Sequence, residues 1–132
     1  MLVSDIISQS LVKTLSNISS KKRLFQEISA CLSESCSLSL DTILSALQDR
    51  EQLGPTGMGK GIAIPHSKIV GLHSITGMFV RLEKPIDFDS IDKQKVDIVF
   101  AILAPNINGV DHLKALAKIS RVLRDQRICS KL

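Results

Sequence analysis

The amino-acid sequence predicts an α/β protein, a three-layer α/β/α sandwich with the sheet between two layers of helices. Two long apolar runs, Ile75–Leu82 and Val96–Leu103, do not alternate strictly with polar residues, which is typical of strands covered on both faces. Amphipathic helical patterns stand before and after these runs. Because a helix of this kind buries its apolar side, the order of the elements favours a helical layer on each face of the sheet.

The first predicted elements are a short helix over residues 2–8 and a brief strand over residues 11–15. A longer helix follows, capped by Ser19 or Ser20, because a serine side chain can accept a hydrogen bond from an amide of the first helical turn. Its apolar residues recur at the spacing of one helical face: Leu24, Ile28, Cys31 and Leu32.

A second helix is predicted to begin at Ser39 or Asp41 and to end near Leu53, where Gly54-Pro55 prevents continuation. Its inward side comprises Leu40, Ile43, Leu44 and Leu47. A glycine-rich segment follows, and it leads into a short strand, Gly61–Ile64, that Pro65 is expected to stop.

The segment Glu83–Lys95 connects the two apolar runs and holds residues typical of turns, namely Pro85, Asp87, Asp89 and Asp92. A third helix is predicted to begin near Asp111, with Leu113, Leu116 and Leu123 on its apolar face. Residues 126–132 are similar to the start of a further helix.

Composition limits the class of protein. A chain of 132 residues with 44% hydrophobic residues suffices for one domain with a sizeable core. Four Phe without Trp or Tyr argue against the base stacking that single-stranded nucleic acids require. The net charge of +4 is interpreted first as solvated helix faces, then as steering of an acidic partner, and last as nucleic-acid binding.

Cysteine spacing and hydropathy indicate the compartment. Three cysteines without C-x-x-C spacing favour reduced thiols in a cytosol, and no His and Cys spacing suggests a metal site. No apolar stretch approaches the roughly 20 residues of a membrane span. Residues 1–7 also lack the basic start of a signal peptide. We therefore expect a soluble, cytoplasmic protein without a membrane span.

The glycine-rich segment 54–61 nearly matches the phosphate loop of nucleotide-binding proteins, G-x-x-x-x-G-K-[S/T]. Position 61 is Gly, so the hydroxyl that would hold magnesium is absent. The segment also precedes a strand, whereas a phosphate loop precedes a helix. The nucleotide-binding interpretation is therefore rejected. Glycine amides and Lys60 still suit an anion, although an ordinary surface loop explains a glycine cluster more simply.

Two histidines and an arginine are candidates for phosphoryl chemistry. His66 follows the predicted strand, and His112 lies in the first turn of the third helix, where unpaired amides favour an anion. Because neighbouring strand ends converge on one crevice of an α/β sheet, the two histidines can meet. One imidazole would attack phosphorus while the other, with Arg50, holds the oxygens. His73 is interpreted as an exposed loop residue.

The residues around His66 also carry a family resemblance. Gly-x-Gly-Ile-Ala-Ile-Pro-His, at 59–66, resembles the signature of the fructose–mannitol type IIA domains (EIIA type 2) of the bacterial phosphoenolpyruvate-dependent phosphotransferase system (PTS). The same pattern also fits Ala46-Leu47, Arg50-Glu51, Gly54 and Thr56-Gly57, and downstream His112-Leu113 with Leu116. Residues 56–59, 85–92 and 96–101 are more similar to the nitrogen-regulatory branch than to the sugar-transporting one. The resemblance covers nearly the whole chain, so residues 1–132 are interpreted as a single EIIA type 2 domain.

This resemblance implies a mixed sheet of about five strands between helices and a phosphohistidine carrier that needs no cofactor or metal. His66 would accept a phosphoryl group from an HPr-like histidine phosphocarrier protein. His112 would be the second active-site histidine and Arg50 a neighbouring cation. Nitrogen-regulatory members act through phosphorylation-dependent contacts with other proteins, whereas sugar-specific members pass the group to a IIB domain. A regulatory binding module with vestigial phosphorylation is the remaining alternative.

Three features depart from the family pattern. Lys60 stands in place of the usual Asn and should strengthen the attraction of phosphate. Ser67 stands where Gly is common after the histidine. The chain also ends at Leu132, earlier than relatives usually do, so the C-terminal helix is expected to be truncated.

Overall fold

The structure is a computed structural model of the chain, and it describes residues 11–54, 56–72, 75–90 and 92–105. These residues form two helices and six strands, in the order β1 (Leu11–Leu15), α1 (Lys21–Cys36), α2 (Leu40–Leu53), β2 (Gly57–Gly59), β3 (Ile62–Ala63), β4 (His66–Ile69), β5 (Thr76–Ile86) and β6 (Val96–Pro105). The helices predicted over residues 2–8, from Asp111 and over residues 126–132 lie outside the described residues.

Helix α1 begins at the predicted cap. The hydroxyl of Ser20 accepts a hydrogen bond from the amide of Arg23 at 3.1 Å, which satisfies one of the amides that the first turn leaves unpaired. Cys31 packs against the hydrophobic core, as its helical position predicts, and both Cys31 and Cys36 are free thiols. The predicted strand before this helix is confirmed as β1.

Helix α2 also begins and ends where the sequence predicts. The hydroxyl of Ser39 accepts the amide of Thr42 at 3.1 Å, and the helix stops at Gly54. Ile43 and Leu47 are buried as expected, but Leu40 is 37% exposed. The prediction for Leu40 was wrong because residues 40–42 are all exposed, so the first turn of α2 extends past the part of the helix that packs.

The strands form one mixed sheet in the order β1-β5-β6-β3-β2, with β4 also paired to β6. β1 runs parallel to β5, which runs antiparallel to β6. Both β3 and β4 run parallel to β6 and pair with successive parts of it. Because β3 and β4 share one place in the order, the sheet has five strand positions. The mixed sheet of about five strands is therefore confirmed.

The central strands bury side chains on both faces. One face packs with α1 and α2 in a single core cluster and contributes Met78, Val80, Leu82, Val99, Ala101 and Leu103. On the other face, Phe79 and Phe100 are also buried, and their ring centroids lie 4.0 Å apart. Burial on both faces explains why the two apolar runs do not alternate, and it agrees with a covered α/β sheet.

The connection after β5 starts later than predicted. β5 continues to Ile86, so Pro85 lies inside a strand and not in a turn. The pairing of β5 with β6 shifts register between Arg81 and Ile86. A proline is tolerated in such an irregular stretch because no regular ladder hydrogen bond needs its missing amide hydrogen.

A buried ring fixes the segment that follows β5. Phe88 is fully buried, and its ring centroid lies 5.9 Å from that of Phe25 on α1. Asp87 forms the predicted turn beside it, because its carboxylate accepts the amide of Asp89 at 2.9 Å. The segment is thereby held against the N-terminal half of α1.

Candidate functional site

A proline interrupts the strand that carries His66. The strand before Pro65 ends as predicted, because β3 stops at Ala63. The chain nevertheless continues beside β6 in the same register, with Ile62 opposite Ile98 and His66 opposite Ile102. The carbonyl of Pro65 accepts the amide of Ile102 at 2.9 Å. Strand β4 was not predicted. Pairing resumes after Pro65 because a proline at a short break between two strand segments costs no ladder hydrogen bond. His66 therefore begins β4.

A backbone hydrogen bond orients the ring of His66. Its Nδ1 lies 2.8 Å from the carbonyl oxygen of Ile64. A carbonyl oxygen can only accept, so Nδ1 carries the proton of the neutral ring and donates it to this bond. The lone pair of the neutral imidazole is then on Nε2. This assignment of the tautomer makes Nε2 the nucleophilic nitrogen.

His66 lines a cavity of about 650 Å³ between the end of α2 and β4, together with Ala46, Asp49, Arg50, Leu53, Ser67 and Lys68. The structure thus brings together two of the predicted site residues, His66 and Arg50. An Nη1 hydrogen bond of 3.0 Å to the carbonyl of Gly54 holds the Arg50 side chain at the end of its helix. His112 lies outside the described residues, so its meeting with His66 stays a prediction.

The surroundings of His66 favour its neutral form. Burial lowers the pKa of His66 below its ordinary value, and the Arg50 guanidinium lowers it further. The hydrogen bond to Ile64 and the charge of Glu51 act in the opposite direction. Because the ordinary pKa is about 6.5, a lowered pKa leaves most rings neutral at pH 7. The neutral ring is the form that can attack phosphorus.

Lys68 is a residue of this cavity that the sequence analysis did not select. It lies two residues beyond His66 on β4, and side chains two apart on a strand point to the same side. It is exposed, which keeps its ammonium group hydrated near the cavity. The alternation along β4 would have indicated Lys68 if the strand had been predicted to start at His66 and not to stop before it.

Glu51 and Thr56 form a second cluster that the sequence analysis did not select. The Glu51 side chain is 9% exposed, and its Oε1 lies 2.6 Å from the Nζ of Lys21. Thr56 donates its amide to Oε1 at 2.9 Å and its hydroxyl to Oε2 at 2.6 Å. One nearly buried carboxylate thereby joins the end of α2 to the start of α1 and to the residue before β2.

The glycine-rich segment is a tight hairpin turn. Gly57–Gly59 pairs with β3 as strand β2, and Gly59, Lys60 and Gly61 all have positive φ, at 90°, 57° and 81°. The amide of Lys60 donates to a carboxylate oxygen of Asp92 at 2.8 Å. That amide is therefore engaged by a side chain of the protein, and Lys60 is not among the residues that line the cavity of His66.

Within the described ranges, no group of three or more His, Cys, Asp or Glu side chains is arranged to hold a metal ion. Of the helices described, none has the length and apolar character needed to cross a membrane.

Comparison with known families adds to this geometry. The family model described as "Phosphoenolpyruvate-dependent sugar phosphotransferase system, EIIA 2" matches residues 5–132. The chain belongs to the PTS EIIA type 2 family. Most of this EIIA chain is covered by the match, so the resemblance carried by residues 59–66 is confirmed.

Relatives of this EIIA chain are named nitrogen regulatory proteins. One from Bradyrhizobium diazoefficiens is 45% identical over 132 residues, covering 100% of this chain and 86% of that protein. One from Escherichia coli K12 is 38% identical, covering 98% of this chain and 80% of the relative. The crystal structure of nitrogen regulatory protein IIA-Ntr from Neisseria meningitidis has a TM-score of 0.88 at 35% identity, covering 98% of this chain and 89% of that one. The similarity to the nitrogen-regulatory branch is confirmed.

Proposed function

We propose that this chain is a histidine phosphocarrier of a bacterial phosphotransferase system and acts in the cytoplasm as a nitrogen-type PTS regulatory protein. The observation that carries the proposal is the hydrogen bond of 2.8 Å between Nδ1 of His66 and the carbonyl of Ile64. It leaves the lone pair of the neutral ring on Nε2, and two cations, Arg50 and Lys68, line the same cavity as His66. The names of the relatives support the regulatory role.

The proposed step is a phosphoryl exchange between two histidines. The Nε2 lone pair of His66 attacks phosphorus on an HPr-like carrier, an N–P bond forms, and the donor's N–P bond breaks with its electron pair returning to the donor ring. The ring of His66 gains positive charge in this step, and the hydrogen bond from Nδ1 to the Ile64 carbonyl stabilises that charge. Arg50 and Lys68 are proposed to stabilise the equatorial phosphoryl oxygens. No cofactor or metal takes part.

His112 is proposed as the second active-site histidine. The support for it is the family pattern in which the pair His112-Leu113 takes part. In this role its imidazole would hold phosphoryl oxygens together with Arg50. Replacing His112 by Ala is then expected to slow transfer without preventing all labelling of His66.

Labelling by the phosphoryl donors tests the proposal. The protein is incubated with phosphoenolpyruvate, the first enzyme of the system and the HPr-like carrier, and an acid-labile phosphoryl adduct is measured. We expect the parent to be labelled and His66→Ala to be unlabelled. His73→Ala is the matched control, because it removes another histidine and should leave labelling intact. Label that persists in His66→Ala, or that never appears in the parent, contradicts the proposal.

The same preparation separates the alternatives for the downstream partner. A nitrogen-type regulator is expected to bind its target proteins differently before and after phosphorylation. Rapid transfer of the label to a IIB domain would instead favour a sugar-specific IIA component. Target binding in a parent that is never labelled would favour a regulatory module with vestigial phosphorylation.

A further inference from the structure

Glu51 lies beside the candidate site, but its side chain faces away from the cavity of His66. Its neighbour Arg50 lines that cavity, and consecutive residues of a helix point about 100° apart. Glu51 is therefore directed to Thr56 and Lys21, the partners that surround its carboxylate. The Nζ of Lys21 is itself held 4.7 Å from the ring centroid of Phe88. This nearly buried carboxylate makes no contact with the phosphoryl group in the step proposed above.

A short series of hydrogen bonds leads from Glu51 to the ring of His66. The carboxylate accepts two hydrogen bonds from Thr56. The carbonyl of Thr56 accepts the amide of Ile64 at 3.0 Å, and the carbonyl of Ile64 accepts the Nδ1 proton of His66 at 2.8 Å. Pro65, between Ile64 and His66, has no amide hydrogen to contribute. The Ile64 amide and the Ile64 carbonyl flank the same Cα, so the bond to Thr56 holds the chain on one side of that carbonyl, and the bond from Ile102 to the Pro65 carbonyl holds it on the other.

We propose that Glu51 is a positioning residue for His66. By holding Thr56 it fixes the Ile64 carbonyl, which keeps the proton on Nδ1 and the lone pair on Nε2. This inference rests on the proposed function, because a fixed Nε2 matters only if His66 accepts a phosphoryl group. Glu51 acts through Thr56 and Ile64 and does not itself hold the phosphoryl group.

The negative charge of Glu51 helps to keep the proton on the His66 ring, as the hydrogen bonds of Glu51 are proposed to do. Among the described residues, the charged groups near His66 are Asp49, Arg50 and Glu51 from α2 and Lys68 from β4. The negative charge of Glu51 raises the pKa of His66, against the lowering by burial and by Arg50. Removing that charge should weaken the hold on the Nδ1 proton as well as release Thr56.

Three substitutions separate positioning from simple stability. Glu51→Gln removes the charge at nearly constant shape, Thr56→Val removes the hydroxyl donor, and Thr56→Ser keeps it. Nitrogen-15 NMR of the His66 ring measures the tautomer ratio and the pKa, with the signal assigned by its loss in His66→Asn. Initial rates of phosphorylation are measured over a range of carrier concentrations.

We expect Glu51→Gln and Thr56→Val to reduce the fraction of the Nδ1–H tautomer and to slow phosphorylation at saturating carrier by about tenfold or more, as for a misplaced reacting group. The KM for the carrier should not change, because no surface contact of the cavity is altered. Glu51→Gln should also lower the pKa of His66. Thr56→Ser should behave as the parent does.

Glu34→Gln is the matched control, because it makes the same change of charge at an exposed position of α1 and should change neither readout. If Glu51→Gln does not fold, the comparison of Thr56→Val with Thr56→Ser decides, since both keep the Glu51–Lys21 ion pair. Unchanged tautomer ratios and rates in Glu51→Gln and Thr56→Val overturn the inference. If the parent itself accepts no phosphoryl group, the proposed function fails, while the tautomer ratios still decide the positioning role.

Discussion

At the scale of single residues, the two cations beside His66 differ in how firmly they are held. The hydrogen bond from Arg50 to the carbonyl of Gly54 fixes its guanidinium at the end of α2, and the planar group can meet two phosphoryl oxygens at once. Lys68 is exposed, and a hydrated ammonium on a flexible stem acts mainly as a charge. In the proposed phosphoryl transfer, Arg50 would therefore orient the phosphoryl group and Lys68 would attract it.

Substitutions of the two cations should differ in size and in salt dependence. Arg50→Gln is expected to reduce the rate of His66 phosphorylation by about 10²-fold or more, as for the loss of one fixed donor at a developing charge. Arg50→Lys should restore little of it, because the fork geometry is lost. Lys68→Gln should cost less, and its effect should fade at high ionic strength because exposed charges are screened. Initial rates at low and high salt measure both effects. If Lys68→Gln loses as much rate as Arg50→Gln does, and if that loss does not change with salt, these roles are contradicted.

The residue types of the candidate site could be predicted from the sequence, but the geometry of the site could not. His66 and Arg50 could be selected from the sequence because their residue types suit phosphoryl chemistry and their surroundings match a family pattern. The ring nitrogen that carries the lone pair could not be predicted, since it depends on the carbonyl of Ile64, which meets the ring only across the break at Pro65. Glu51 and Thr56 fit the family pattern, but they were not selected as site residues, because the contacts between them are visible only in the structure.

At the scale of elements, strand β2 lies unusually close to the segment that follows β5. A side-chain carbon built on Gly57 would collide with the hydroxyl of Ser90 and would lie 3.0 Å from its Cβ. The Ser90 hydroxyl is itself buried with no hydrogen-bond partner among the described residues. A glycine is thus required at position 57 by the close approach of two backbones and not by a special backbone angle.

Substitution of Gly57 tests this contact directly. Gly57→Ala is expected to lower the free energy of unfolding by about 1–3 kcal/mol, as for other overpacked sites. Ser90→Gly removes the hydroxyl and the Cβ, so the double variant should recover part of that loss. Urea unfolding of the parent, both single variants and the double variant gives the coupling between the sites. A strictly additive pair, with no recovery, would show that the two backbones are not in contact as described.

The elements themselves followed from local patterns to different degrees. α1 and α2 were predicted well because their serine caps and the Gly54 stop act within a few residues. The start of β4 and the end of β5 were not predicted, because a proline in the local sequence indicates the end of a strand. Whether Pro65 or Pro85 breaks a strand depends on the register with β6, and this pairing joins residues far apart in the chain.

At the scale of the whole molecule, folding builds the site and also changes the proton affinity of His66. The ring becomes partly buried only when α2 and β4 come together around the cavity, and that burial, with Arg50, lowers its pKa. The unfolded chain keeps the ordinary value of about 6.5. Folding and protonation of this one ring are therefore linked.

The sign of this linkage gives a prediction for stability. As the pH falls below about 6.5, the unfolded chain binds a proton at His66 before the folded protein does, so the free energy of unfolding should decrease between that pH and the lower pKa of the folded state. His66→Asn cannot take up this proton, and its amide nitrogen can still reach the Ile64 carbonyl. The parent should therefore lose stability relative to His66→Asn as the pH falls from 7.5 to 5, measured by urea unfolding at each pH. The other histidines are common to both proteins and cancel in the difference. A difference that stays constant, or that moves in favour of the parent at low pH, would mean that the ring is not buried beside Arg50 in its neutral form.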